Sequence, residues 1–275
     1  KNFSTKILNM DIKLLVLQIE SIAGDIEANI NKIESLINAN GVIDIDLIVL
    51  PELWTTGWDT SCFNKCAEEL YNSKTYKFLK SLSRKYKSNI IGGSSILYRK
   101  NTKSRNSCLI FNRNGELKAV YDKYHLFSHR GESEGRYLES GTNGVLVNLD
   151  IGKVGISTCY DIRFPELFRL YAFKGADFIV NMAAWPQNFY YEYETLLHAR
   201  AIENQIYIVS SCLTGAINEN YCFSGNSQIC DYRGKIIAKL EREEKSIYAK
   251  INIVISIYII NIFFFIFYKT KAQLI

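Results

Sequence analysis

The sequence predicts a layered α/β protein with mixed sheets rather than a simple doubly wound one. Three observations predict it. Apolar runs rich in β-branched residues alternate along the chain with segments of helical periodicity. Several neighbouring apolar runs are joined by short glycine-containing turns, so hairpins interrupt that alternation. The 275 residues, 48% hydrophobic and 22% charged, also suffice for a sizeable core.

In chain order, IKLLVLQI (12–19) is a short apolar strand. Residues 24–40 follow with Ile26, Ile30, Ile33 and Leu36 at helical spacing on one face. LIVLPE (47–52) is a buried strand stopped by proline, residues 72–86 form a helix, and NIIGGSSILYR (89–99) reads as one strand with a glycine pair. CLIFNRNGELKAVYDK (108–123) is a hairpin, because Asn114-Gly115 supplies the positive-φ positions of its turn. VLVNLDIGKVGISTCYD turns at Asp150-Ile151-Gly152 and delivers Cys159 to a strand end. The next segment is a helix opened by Pro165 and closed near Gly175. FIVNMA is a strand, YYEYETLLHARAIENQ a helix and IYIVSSCL a strand, and NSQICDYRGKIIAKLE with KSIYAKI adds three more strands. No glycine-rich phosphate loop and no internal repeat is present.

Composition excludes some functions. The net charge of +5 is mild and the lysines are scattered, which argues against nucleic-acid binding. Seven cysteines at irregular spacing argue against a secreted disulfide framework and for free thiols in a reducing cytoplasm. Cys62 and Cys66 lack a second ligand pair, so no metal site is expected. Cys108, Cys212 and Cys230 read as small core residues. The first residues show no apolar stretch ahead of a small-residue cleavage site, and residues 1–9 read as a non-structural extension before Met10.

Cys159, in S-T-C-Y-D, ends an apolar strand and precedes a helix. Such a turn exposes a nucleophile and brings backbone N–H groups toward a developing oxyanion, although a strand-end cysteine is more commonly a small core residue. A thiol needs a base and an electrostatic partner. None of the three histidines neighbours a motif that pairs it with a cysteine. Glu52, ending a buried strand, is a candidate base because burial raises a carboxyl pKa. Lys123, ending Val120-Tyr121, is a candidate fixed cation.

LPELWTTG (50–57), YDKYHLF (121–127) and CYDIRFPELFR (159–169) resemble, in that order, the three signature blocks of the nitrilase superfamily of carbon–nitrogen hydrolases. AAWP (183–186), LLHARAIENQIYIV (196–209) and SGNSQICDYRGKIIA (224–238) extend the resemblance over roughly residues 11–250. It implies a four-layer α-β-β-α sandwich with two mixed sheets (domain 10–250), no metal or organic cofactor, and a homodimer. It also implies Cys159 as nucleophile, Glu52 as general base, Lys123 as oxyanion stabiliser and the Tyr160 N–H as its partner. A second glutamate is expected after the lysine; Glu132 and Glu134 both qualify, and Glu132 is preferred for its distance from His-Leu-Phe. The block Tyr160–Pro165 is most similar to the omega-amidase branch, which implies small-molecule ω-amide substrates. Arg163 is then an anion-binding or a structural residue, and Trp185 a pocket wall or a core residue.

Two features depart from the pattern. Many relatives carry arginine where this chain has Phe189. The segment 251–268, INIVISIYIINIFFFIFY, has 15 apolar residues of 18 and no charge, followed by KTKAQLI. Its length is near the lower limit of a membrane span, but its β-branched content suits a packed or non-native tail (251–275) better, so membrane contact is not favoured. The rival readings are an N-carbamoyl amino acid or nitrile hydrolase, and a membrane-tethered or non-catalytic member that acts by binding.

Overall fold

The protein, seen as a computed structural model, is described over residues 10–42, 44–129, 132–218 and 221–253. The expected extension 1–9 lies outside these residues. So does the expected tail 251–275 beyond residue 253, while its first residues, Ile251 and Asn252, belong to the last strand.

The first half contains β1 (Asp11–Gln18), α1 (Ile26–Asn40), β2 (Leu47–Val49), α2 (Thr60–Cys66), β3 (Glu68–Glu69) and α3 (Lys74–Tyr86). Next come β4 (Asn89–Ile91), β5 (Ser95–Tyr98), β6 (Arg105–Phe111), β7 (Leu117–Asp122), and the short β8 (Ser128–His129) and β9 (Glu132–Ser133). The second half has β10 (Val145–Leu149), β11 (Gly152–Thr158), α4 (Pro165–Phe173), β12 (Phe178–Ala183), α5 (Tyr190–Asn204) and β13 (Tyr207–Cys212). It ends with β14 (Ala216–Asn218), β15 (Tyr221–Cys222), β16 (Gln228–Cys230), β17 (Ile236–Lys239) and β18 (Lys245–Asn252).

These strands build two mixed sheets. One runs β18-β1-β2-β4-β6-β5-β3, with β7 also paired to β6; the other runs β10-β11-β12-β13-β16-β17. Strand periodicity separates the layers. Ile12, Leu14 and Val16 of β1 face Ile156, Val180 and Val209 of the second sheet across the central core. Leu15 and Leu17 of the same strand point the other way, into a cluster with Ile33 and Ile37 of α1 and Leu79 and Leu82 of α3. The outer face of the second sheet packs on α4 and α5 through Phe168, Tyr171, Tyr193 and Leu197. The order of layers is therefore helix, sheet, sheet, helix.

Local chemistry explains the helix ends. The Asp25 carboxylate caps α1 by accepting from the Ala28 N–H at 3.0 Å, and Gly41 closes it in the left-handed region. Ser73 caps α3 through the Tyr76 N–H at 2.9 Å.

The expected single strand over 89–99 is two. Gly92 and Gly93 break it, and both halves pair antiparallel with β6. The reason is a close approach by the turn after β2. A Cβ on Gly93, whose φ is +61°, would lie 2.1 Å from the Pro51 carbonyl oxygen. The helix α2 carried no clear periodicity in the sequence; its Phe63 is buried against Trp58.

Gly93→Ala and Gly41→Ala both place a side chain at positive φ, but among the described residues a Cβ on Gly41 meets nothing within 4 Å. Denaturant unfolding should show a loss of about 1 kcal/mol for Gly41→Ala. Gly93→Ala should lose about 1–3 kcal/mol more from the clash; equal losses would refute the tight approach.

Candidate active site

Four strand ends meet where the two sheets abut. Glu52 follows β2, Lys123 follows β7, Cys159 follows β11 and Ala184 follows β12. β2, β11 and β12 each pair in parallel, and loops at the carboxyl ends of such strands are the usual place for a ligand crevice.

The turn that carries Glu52 is built for close contact. Leu53 sits at φ 50°, its N–H donates to Ser94 Oγ at 3.0 Å, and the Trp54 indole N–H donates to the Gly92 carbonyl at 2.8 Å. Glu52 is fully buried as a result. Its Oε1 accepts from Lys123 Nζ and from Asn106 Nδ2, each at 2.8 Å, and its Oε2 accepts from the Ala184 N–H at 2.8 Å.

Lys123 is equally buried. Its own N–H donates to the Asn106 carbonyl at 2.8 Å, and its carbonyl accepts from Gly141 at 2.8 Å. Just before it, Asp122 is paired to Arg99 at 3.1 Å and Arg105 at 3.3 Å, which anchors the end of β7. The ammonium lies between two carboxylates: Glu52 on one side and Glu134 Oε2, also at 2.8 Å, on the other. Glu134 accepts further from Asn106 Nδ2 at 2.9 Å and from the Phe127 N–H at 2.9 Å.

Cys159 opens a short helical turn (Cys159–Arg163) and sits at φ 47°, a conformation that costs energy for a residue with a Cβ. Asp161 holds it there. Its buried carboxylate accepts from the Thr158 N–H at 2.7 Å, the Tyr121 hydroxyl at 2.5 Å, the His125 N–H at 2.9 Å and His125 Nδ1 at 2.8 Å. One aspartate thus ties the cysteine turn to the loop after Lys123. Further support comes from Arg200 Nε, which donates to the Ile162 carbonyl at 3.0 Å.

Burial, and then the negative charge of Glu52, push the Cys159 thiol well above its ordinary pKa. Burial also raises Glu52, with Lys123 working against it. For Lys123, burial opposes the charge, but Glu134 and Glu52 outweigh it and hold the ammonium protonated. The Cys159 thiol therefore sits beside the Glu52 carboxyl and the Lys123 ammonium, with its pKa raised.

Cys159 faces a cavity of about 300 Å³ with mostly aromatic walls, among them Trp58, Phe127, Trp185 and Phe189. Arg163 and Glu192 bring charge to it. The Arg163 guanidinium lies 5.0 Å from the Trp185 ring and 5.8 Å from that of Tyr160, and it joins no salt bridge among the described residues. Trp185 is both wall and core: it is buried, stacks on Tyr193 at 4.8 Å and donates its indole N–H to the Phe189 carbonyl at 2.7 Å.

The structure brings Glu52, Lys123 and Cys159 together, with Tyr160, Arg163 and Trp185 around the same cavity. Of the two candidates for the second glutamate, Glu134 lies against Lys123 at 2.8 Å. The backbone N–H of Glu134 donates to the Phe127 carbonyl at 2.9 Å, and that bond turns Glu134 toward Lys123. Glu132 lies in β9, and its side chain is outside the described residues. Sequence reasoning missed Asn106 altogether, since a lone Asn in an apolar strand carries no signal of its distant partners.

Tyr121→Phe removes one of four bonds to the Asp161 carboxylate. Thermal or denaturant unfolding should show a loss of about 1–3 kcal/mol, with lower reactivity of Cys159 toward iodoacetamide. An unchanged alkylation rate would show that Asp161 does not set the cysteine turn.

A sequence model of the carbon–nitrogen hydrolase family matches residues 13–255. A 2-oxoglutaramate amidase of Bacillus subtilis is 36% identical over 237 residues, 86% of this chain and 89% of that protein. An omega-amidase of Saccharomyces cerevisiae is 31% identical over 265 residues, 90% of each chain. The crystal structure of a Saccharomyces cerevisiae member of branch 10 of the nitrilase superfamily superposes with a TM-score of 0.84 at 30% identity, covering 92% of this chain and 94% of that one. The two mixed sheets and the agreement along almost the whole chain lead to one conclusion: the protein belongs to the carbon–nitrogen hydrolase family, in the omega-amidase-like branch of the nitrilase superfamily, and is a hydrolase of carbon–nitrogen bonds.

Proposed function

We propose that this hydrolase, which acts on amide bonds, cleaves the terminal amide of small linear ω-amides of dicarboxylic or 2-oxo acids through a thioester on Cys159. The observation that carries this reading is the buried Glu52–Lys123 pair beside the Cys159 thiol at one wall of an aromatic cavity.

With its pKa raised, the thiol is not a thiolate at rest, so a base must act during attack. Glu52 takes the thiol proton as sulfur bonds to the amide carbon. Negative charge then develops on the carbonyl oxygen. The Lys123 ammonium and the Tyr160 N–H, at the start of a helical turn where backbone donors have no partner within the turn, serve as its oxyanion hole. Glu52 returns the proton to the leaving nitrogen, the C–N bond breaks and ammonia departs. Water replaces it, Glu52 removes its proton, hydroxide adds to the thioester and the acid leaves as sulfur regains a proton. Glu134 keeps Lys123 charged and in place throughout.

The relatives named above as amidases of 2-oxoglutaramate and ω-amides support the substrate class. Arg163 supports it independently: a guanidinium over two aromatic rings can pair with the remote carboxylate of such a substrate.

We also place the enzyme in a reducing cytoplasm as a homodimer. Support for the compartment comes from its seven free cysteines. Support for the dimer comes from Leu170 and Phe173 of α4 and Ile202 of α5, apolar residues exposed on two helices joined by a bond from Arg169 to the Glu203 carbonyl. Sedimentation as a monomer at micromolar concentration would exclude the dimer, and a disulfide in protein isolated without reductant would count against the compartment.

Cys159→Ala should abolish ammonia release from succinamate and related ω-amides, and retained activity would sink the mechanism. The acid limb of kcat/KM should lie above the ordinary glutamate range, because protonating Glu52 at its raised pKa removes the base. Arg163→Ala should raise KM for succinamate by about 10–100-fold, with little effect on an uncharged amide such as propionamide. Equal losses on both would assign Arg163 a structural role.

A further inference from the structure

We infer that Asn106 is a positioning residue for catalysis: its amide bridges Glu52 and Glu134 on either side of Lys123 and keeps Glu52 available as a base. This rests on the proposed role of Glu52 as the base.

The site buries two carboxylates and one ammonium, so it carries one surplus negative charge with no bulk water to screen it. Two buried carboxylates in one site tend to resolve such a surplus by taking up a proton, because each raises the pKa of the other. Glu134 is indeed one of the influences that push Glu52 upward. A Glu52 protonated in this way could not accept from the Cys159 thiol.

Asn106 opposes that outcome. Its single Nδ2 donates one hydrogen to Glu52 Oε1 at 2.8 Å and one to Glu134 Oε1 at 2.9 Å. With carboxylates on both sides, only the NH2 end of the amide can face them, so its orientation follows from chemistry. A closed ring results: Asn106, Glu52, Lys123, Glu134 and back to Asn106. Both amide protons go to charged forms, and bonds of that kind favour the ionised carboxyl. The other end of the amide shows what this arrangement costs. Among the described residues, Asn106 Oδ1 is buried without a hydrogen-bond partner, a poor choice for a residue selected for stability alone. Position matters as well. The Asn106 carbonyl accepts from the Lys123 N–H at 2.8 Å, so one residue sets both the backbone of the lysine and the charge state of its flanking carboxylates.

The test is the pH dependence of kcat/KM on an ω-amide for Asn106→Leu and Asn106→Ser, each checked for fold by circular dichroism. Asn106→Leu donates nothing, so the surplus charge should draw a proton, and its acid limb should move up by about one pH unit or more. Its rate should fall most near neutrality and recover partly at higher pH, with the loss in kcat exceeding the change in KM. Asn106→Ser keeps one donor and should lie between Asn106→Leu and the parent. Should the leucine variant fail to fold, Asn106→Asp takes its place: it preserves shape, adds a third carboxyl and should shift the limb upward at least as far. Folded variants with the parent's acid limb, at whatever absolute rate, would overturn the inference. An enzyme inactive on every ω-amide would instead refute the substrate reading. In that case, direct titration of the Glu52 carboxyl by infrared spectroscopy in the parent and the variants decides the role of Asn106.

Discussion

An ammonium buried between two carboxylates is the interaction on which the rest of this molecule depends. Lys123 has no access to solvent, and neither has Glu52, so neither charge is tolerable alone. Removing the lysine would leave two buried carboxylates facing each other, and breaking a buried ion pair in this way costs about 3–5 kcal/mol. The fold therefore has to deliver three residues, 52, 123 and 134, from separate loops into one contact. Backbone donors from Ala184 and Phe127 and the Asn106 amide complete it. Such a cluster is weak as a source of stability and strong as a constraint on geometry.

The surrounding architecture can be understood as the support for that contact. Two sheets pressed face to face place the ends of β2, β7, β11 and β12 beside one another. Left-handed residues at Leu53 and Cys159 then turn the chain sharply enough to aim side chains into the gap. Asp161 joins the cysteine turn to Tyr121 and His125, so the lysine loop and the nucleophile turn share one anchor. His125 is held by that carboxylate and by a stack on Phe164 at 3.6 Å.

Much of this was legible in the residues themselves. The alternation of strands and helices, the hairpins at Gly115 and Gly152, and the positions of Glu52, Lys123 and Cys159 within ordered blocks all follow from local pattern. What escaped depends on partners distant in sequence. Asn106 acts through residues 54 and 28 positions away. Choosing Glu134 over Glu132 needs the bond to Phe127, which spacing does not reveal. The glycine pair at 92–93 read as a detail of one strand, whereas it is the clearance for the turn that carries Glu52.

The pairing of β18 with β1 has a consequence for synthesis. Gln18 meets Lys245 and Asp11 meets Asn252, so the first strand waits for a neighbour made at the far end of the chain. At ordinary translation speeds that wait is roughly 10–50 s. During it, β1 is the open edge of an apolar sheet, the kind of surface that invites wrong partners. Contacts this distant in sequence also slow folding. The nascent chain is thus exposed to aggregation at β1 until residues 245–252 have left the ribosome.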